Sequence, residues 1–199
     1  MLCIDVKNKN NMSERQKIKG ILVDFDGTLF DTWSQPYNHG QKKGLNWEEV
    51  WGNIPNCPLY EGWKDVFEYV KTNDIPIGIV SHCTKGTIER TLKYWKLTHV
   101  FDSVLTRYGE GQKGRFKKTI SKDILITQSL EKDSFQHLSA SDVVYLSDQE
   151  RDVESAHNAG VKAGACYWGT HERELLNQSE KDFSFYSPKD IIEYLDLNK

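Results

Sequence analysis

The sequence predicts an α/β fold of three layers, a parallel sheet with helices on both faces. Three observations carry that prediction. Short apolar runs alternate along the chain with segments whose apolar residues recur at helical spacing, a pattern that implies right-handed crossovers and parallel strands. Two of the apolar runs, Ile21-Leu22-Val23 and Val143-Val144-Tyr145-Leu146, lead into acidic residues, as strands do when they deliver side chains to the carboxyl edge of a sheet. A chain of 199 residues can bury one well-packed core with a small insertion, but hardly two domains.

In chain order, residues 1–19 are rich in Lys and Asn and read as a flexible tail, so that a single domain is expected over 20–199. The first strand ends at Asp24. A small insertion follows at about 31–58, marked by Pro36, Pro55 and Pro58 and by Trp33, Tyr37, Trp47 and Trp51. Residues 59–72 carry Trp63, Val66, Phe67 and Val70 at helical spacing, 75–80 form an apolar strand, and 81–86 turn out of it. A helix is expected over 87–96, a strand over 100–105, and a Gly- and Lys-rich loop over 107–118. A helix over about 121–138 precedes the strand 143–146, and another over about 149–159 stops at Gly160, suited to a left-handed cap. The last expected strand is 161–166.

Composition excludes several classes. With 26 basic and 29 acidic residues the formal charge is -3, which gives no bulk attraction to nucleic acid or an anionic membrane. Cys3, Cys57, Cys83 and Cys166 are widely spaced, without a CxxC pair, and read as free thiols of a reducing compartment. No apolar run approaches the roughly 20 residues that span a bilayer, and no signal-peptide pattern opens the chain. A soluble cytoplasmic protein without a membrane partner is expected.

The chemistry is concentrated in Asp24-Phe25-Asp26-Gly27-Thr28. Carboxylates one residue apart on an extended chain project to the same side and repel; a divalent cation and a shared proton relieve that repulsion. The first can then act as nucleophile and the second as acid and base. The plainer reading is an Asp-Gly turn. Against it stands the second acidic group, Asp148-Gln149-Glu150-Arg151-Asp152, at the end of another apolar run. Asp24, Asp26, Ser81 and Asp148 all fall at the expected carboxyl edge. The pair Ser81-His82 does not form a serine triad, since neighbouring residues on a strand point oppositely.

These motifs resemble the haloacid dehalogenase-like hydrolase superfamily, in its phosphatase branch, with a phosphoglycolate phosphatase-like core and a reduced cap. The resemblance covers about residues 20–170. It rests on Asp24 to Asp31, on Ile79-Val80-Ser81, on Leu146-Ser147-Asp148 through Asp152, and on His157-Asn158-Ala159-Gly160. It implies a Rossmann-like sheet with a minimal cap insertion. It further implies that Asp24 forms an aspartyl-phosphate and that Asp26 protonates the leaving oxygen and later deprotonates water. Mg²⁺ would be held by the Asp24 carboxylate, the Asp26 carbonyl and the Asp148 carboxylate, with Asp152 steadying its water shell or orienting the motif lysine. Ser81 and the N–H groups after it would bind phosphate oxygens, and His82 could contact substrate. The lysine is assigned to Lys122, then Lys118, then Lys113. Ser147 stands where the family usually has glycine, and His82 where a small polar residue is common. A carboxylate at Asp26 favours a phosphatase over a dehalogenase, because a halide leaving group needs no proton.

The short gaps between motifs leave too little chain for a large cap, so an open site or a small lid is expected. The substrate class is a small phosphorylated metabolite or nucleotide. A nucleic-acid end is the alternative, and a non-catalytic phosphate-binding protein is the reading from a different class. Trp33, Tyr37, His39, Trp47 and Trp51 either pack the insertion or stack on a base. Arg107, Lys113, Arg115, Lys117 and Lys118 either form a solvated loop or grip further phosphates. His157 and His171 read as surface or packing residues, and Trp168-Gly169 as a structural turn.

Overall fold

The structure, a computed structural model, describes residues 17–34, 54–107, 119–169 and 172–197. Strand β1 (Gly20–Val23) is followed by helix α1 (Trp63–Thr72), β2 (Ile77–Ser81), α2 (Lys85–Tyr94), β3 (Ser103–Thr106) and α3 (Lys122–Leu130). Then come β4 (Val143–Ser147), α4 (Glu150–Asn158), β5 (Lys162–Cys166), α5 (Arg173–Gln178), β6 (Phe183–Phe185) and α6 (Pro188–Asp196). All strand pairings are parallel, in the order β3-β2-β1-β4-β5-β6. The order reverses between β1 and β4, and it is outside the carboxyl ends at such a reversal that open α/β sheets bind ligands.

Strand side chains alternate between two cores, as a pleat requires. Ile21, Val23, Ile79 and Leu146 face α1, α2 and α6 through Trp63, Ile88 and Ile191, all buried. Leu22, Val80 and Tyr145 face the other way, onto Leu125 and Ile126 of α3, Val153 of α4 and Leu176 of α5. The expected three layers with a parallel sheet are therefore present.

Several boundaries differ from expectation for local reasons. Helix α1 begins at Trp63 rather than 59, because Leu59 is drawn into an antiparallel bridge with Phe30 and Gly62 turns the chain at φ 95°. Helix α2 starts two residues early, where Thr84 accepts a hydrogen bond from the Thr87 amide and caps it. The helix expected to run to 138 ends at Leu130. Beyond it Lys132, Phe135 and Leu138 each donate an amide three residues back, a sequence of tight turns around Asp133-Ser134 that buries Phe135. Gly160 does adopt a positive φ, 76°.

β6, α5 and α6 were not anticipated. α6 nonetheless carries a signature in the sequence, Ser187-Pro188 followed by Asp190, which forms a capping box here. Cys57, Cys83 and Cys166 are free and buried, as expected of thiols. Cys3, most of the expected tail and most of the 31–58 insertion, including Tyr37, His39, Trp47 and Trp51, lie outside the described residues, as do Lys113, Arg115, Lys117, Lys118 and His171. Among the described residues no helix is long and apolar enough to cross a membrane.

Candidate active site

Parallel register brings the candidate residues to one edge. Val23 lies opposite Leu146 on one side and Ile79 on the other, so Asp24, Ser81 and Asp148 emerge together from β1, β2 and β4. The Asp24 amide donates to the Leu146 carbonyl at 2.9 Å, continuing the ladder to the site itself. Asp24, Ser81, Lys122, Asp148 and Asp152 are all buried.

Lys122, the first residue of α3, bridges two of these carboxylates. Its Nζ donates to Asp24 Oδ2 at 2.6 Å and to Asp152 Oδ2 at 2.7 Å, and it lies 5.5 Å from the centre of the Tyr145 ring. The Phe25 amide donates to Asp24 Oδ1 at 2.7 Å. Asp152 also accepts from Ser147 Oγ at 2.5 Å, and Ser147 Oγ accepts from the Gln149 amide at 3.3 Å. Serine in place of the family's usual glycine thus contributes a side-chain hydrogen bond to Asp152.

The charges respond to this packing. Burial pushes Asp24 up to about 6, with Asp152 and Asp26 adding to the rise against the pull of Lys122. Burial, with Asp24 and Asp152, pushes Asp148 up to about 8. For Asp152 burial is outweighed by Lys122 and the Ser147 hydroxyl, and its carboxyl is held below the usual range. For Lys122 burial is likewise outweighed, here by Asp152 and Asp24, and the ammonium is held charged. Three carboxylates, Asp24, Asp148 and Asp152, thus interact with one lysine, an excess of negative charge in a buried site.

Thr28 is the residue whose part the sequence did not reveal. Its hydroxyl donates to Asp148 Oδ1 at 3.2 Å and accepts from the Asp148 amide at 3.1 Å, tying the first acidic segment to the second. Beside it Gly27 has φ +73°, and a Cβ there would stand 2.4 Å from Asp148 Oδ2 and 2.2 Å from Trp33 Nε1. Trp33 accordingly packs against the acidic loop.

Ser81 ends β2 and accepts from the Cys83 amide at 3.1 Å. His82 is turned toward the chain leading into α3, with Nε2 2.9 Å from the Ile120 carbonyl. Burial and the nearby Lys122 lower its pKa. Arg107 Nε donates to the His82 carbonyl. His157, by contrast, sits at the exposed end of α4 with Nε2 3.0 Å from Asp182, away from this cluster.

The family model for haloacid dehalogenase-like hydrolases matches residues 41–166, more than half of the chain, including Ser81, Lys122, Asp148 and Asp152. The chain belongs to this family of hydrolases. A phosphoglycolate phosphatase from Synechococcus elongatus is 26% identical over 140 residues, 70% of this chain and 60% of that protein. The pyrophosphatase PpaX of Bacillus cereus is 25% identical over 187 residues, 92% of this chain and 82% of the relative. Among solved structures, a haloacid dehalogenase-like hydrolase from Streptococcus pneumoniae superposes with a TM-score of 0.66 at 18% identity, covering 89% of this chain and 98% of that one. CbbY from Rhodobacter sphaeroides, in complex with xylulose-(1,5)bisphosphate, gives 0.64 at 14% identity, with 89% and 99% covered. These structures share the fold.

Proposed function

We propose that the chain is a Mg²⁺-dependent phosphomonoesterase acting on a small phosphorylated metabolite through an aspartyl-phosphate on Asp24. The observation that carries the reading is the pairing of the buried Asp24 with the Lys122 ammonium at 2.6 Å, at the edge shared with Asp148. A carboxyl near pH 6 remains mostly ionised at neutral pH, as a nucleophile must. Its oxygen forms a bond to phosphorus while the ester P–O bond breaks, and Asp26 gives its proton to the departing alkoxide. Asp26 then takes a proton from the water that attacks the phosphoryl group, freeing phosphate and the Asp24 carboxylate.

Lys122 stays charged and neutralises the transferring group. Ser81, with the amides that follow it, faces the phosphate oxygens. Asp152, fixed by Ser147, orients Lys122.

The donor set fits a hard cation. The Asp24 and Asp148 carboxylates and the Asp26 carbonyl would be its oxygen ligands, and burial first, with neighbouring carboxylates, raises Asp24 and Asp148 despite Lys122. Among the described residues no three acidic, His or Cys side chains converge as a metal cluster. When bound, Mg²⁺ supplies charge that draws the phosphate into the site and stabilises its transfer.

The test is phosphate release with and without Mg²⁺ from phosphoglycolate, sugar phosphates, mononucleotides, pyrophosphate and 5′-phosphorylated DNA. The expected result is Mg²⁺-dependent turnover that falls by about 10³-fold or more in Asp24→Asn. Equal release by wild type and Asp24→Asn from every substrate would overturn the reading in favour of a phosphate-binding protein.

A further inference from the structure

The loop that carries Asp26 is gripped by two tryptophans from distant parts of the chain. Trp63, the first residue of α1, donates its indole N–H to the Thr28 carbonyl at 2.9 Å, and Trp168, just beyond β5, donates its own to the same oxygen at 2.9 Å. A carbonyl oxygen has two lone pairs, so these two donors match its full accepting capacity. The rings lock against each other edge to face, 6.3 Å between centroids at 76°, and Trp63 stacks on Phe67 at 5.6 Å. Trp63 is wholly buried.

The turn holding Trp168 is pressed onto the same loop. A Cβ at Gly169 would fall 1.6 Å from the Gly27 carbonyl oxygen, so only glycine lets the two backbones come this close. Thr28 is therefore held by its carbonyl from two elements, while its hydroxyl holds Asp148 through both hydrogen bonds described above. Asp26 lies two residues before this anchor and Asp148 is bonded directly to it. Thr28 thus links the loop of one carboxylate directly to the other.

We infer that Trp63 and Trp168 are positioning residues. Their paired indole N–H groups fix the Thr28 carbonyl, and through Thr28 they keep Asp26 and Asp148 in the geometry of the reaction. The inference rests on the phosphatase reading above. Packing alone would be satisfied by any aromatic ring, whereas the clamp needs the N–H. Trp168→Phe and Trp63→Phe keep a ring and remove the donor; Thr28→Val keeps the shape and removes the hydroxyl.

The experiment measures kcat and KM, the Mg²⁺ midpoint for thermal stabilisation, and amide exchange in residues 27–30. Trp168→Phe is expected to lower kcat roughly tenfold with KM for substrate unchanged, the rate equivalent of about one hydrogen bond. It should also raise the Mg²⁺ midpoint severalfold and speed exchange in the loop. Combined with Thr28→Val it should cost less than the product of the two single effects, since both act through one residue. Trp168→Phe with wild-type kcat and Mg²⁺ midpoint, even at a lowered Tm, would overturn the clamp while leaving the phosphatase reading intact. A wild type without Asp24-dependent turnover overturns that reading and this inference with it.

Discussion

The two ends of the β1–β4 ladder carry the same pair of residue types in opposite settings. Before the strands, Lys19 meets Asp142 at 2.8 Å with side chains 47% and 25% exposed; beyond them, Lys122 meets Asp24 at 2.6 Å with 7% and 4% exposed. Water screens the first pair, which is worth a few tenths of a kcal/mol to about 1. The second has lost its water and must be balanced by neighbours, so removing one partner leaves a buried charge. The amino end of the sheet stitches two strands together; the carboxyl end stores charge. Geometry alone would not distinguish them, and burial does.

The largest effect should come from unbalancing the buried end. Lys122→Met is expected to cost about 3–5 kcal/mol in urea unfolding, because Asp24 and Asp152 lose their shared cation. Adding Asp152→Asn to it should recover part of that loss, while turnover stays absent in both variants. Ser147→Ala comes next, at about 1–3 kcal/mol, since it removes a hydrogen bond to the charged Asp152. A Ser147→Thr protein that keeps this bond should lie closer to wild type by the same measurement.

A third prediction uses pH. Asp24 and Asp148 are raised from 3.8 to about 6 and about 8, so the folded state binds more protons than the unfolded one. The stability these groups contribute is complete below 3.8 and is lost as pH rises through the folded values. Between pH 7.5 and 8.5, above the 6.5 at which an unperturbed His82 titrates, the Tm of the metal-free protein should fall. Saturating Mg²⁺ should flatten that slope, because a cation replaces the proton; a slope unchanged by Mg²⁺ would contradict the ligand set. The smallest effect belongs to the exposed end, where Asp142→Asn should change stability by less than about 1 kcal/mol and less still in high salt.

The strand-end aspartates were legible because a buried strand must be apolar along its length, so the first charged residue marks the sheet edge. That argument found Asp24 and Asp148 and placed them at one edge of the sheet; that their strands are neighbours is a fact of the structure. Lys122 came from spacing in a family resemblance, since no local pattern separates a buried lysine from a solvated one. Other features depended on tertiary contacts that leave no periodicity. The turns over 131–138 are set by the burial of Phe135, and the two indole donors on Thr28 lie 35 and 140 residues from their acceptor. β6 is only three residues long, too short for an alternating pattern to stand out. The capping box at Ser187 was in plain view and would have placed α6.

The 140-residue reach from Trp168 back to Thr28 also bears on how the protein is made. During synthesis β1 leaves the ribosome first, yet Asp24 waits for Lys122, then for the Leu146 carbonyl, and Thr28 waits for the indole of Trp168. A nascent chain stopped between Asp152 and Trp168 holds every acidic residue of the site and lacks the turn that closes it.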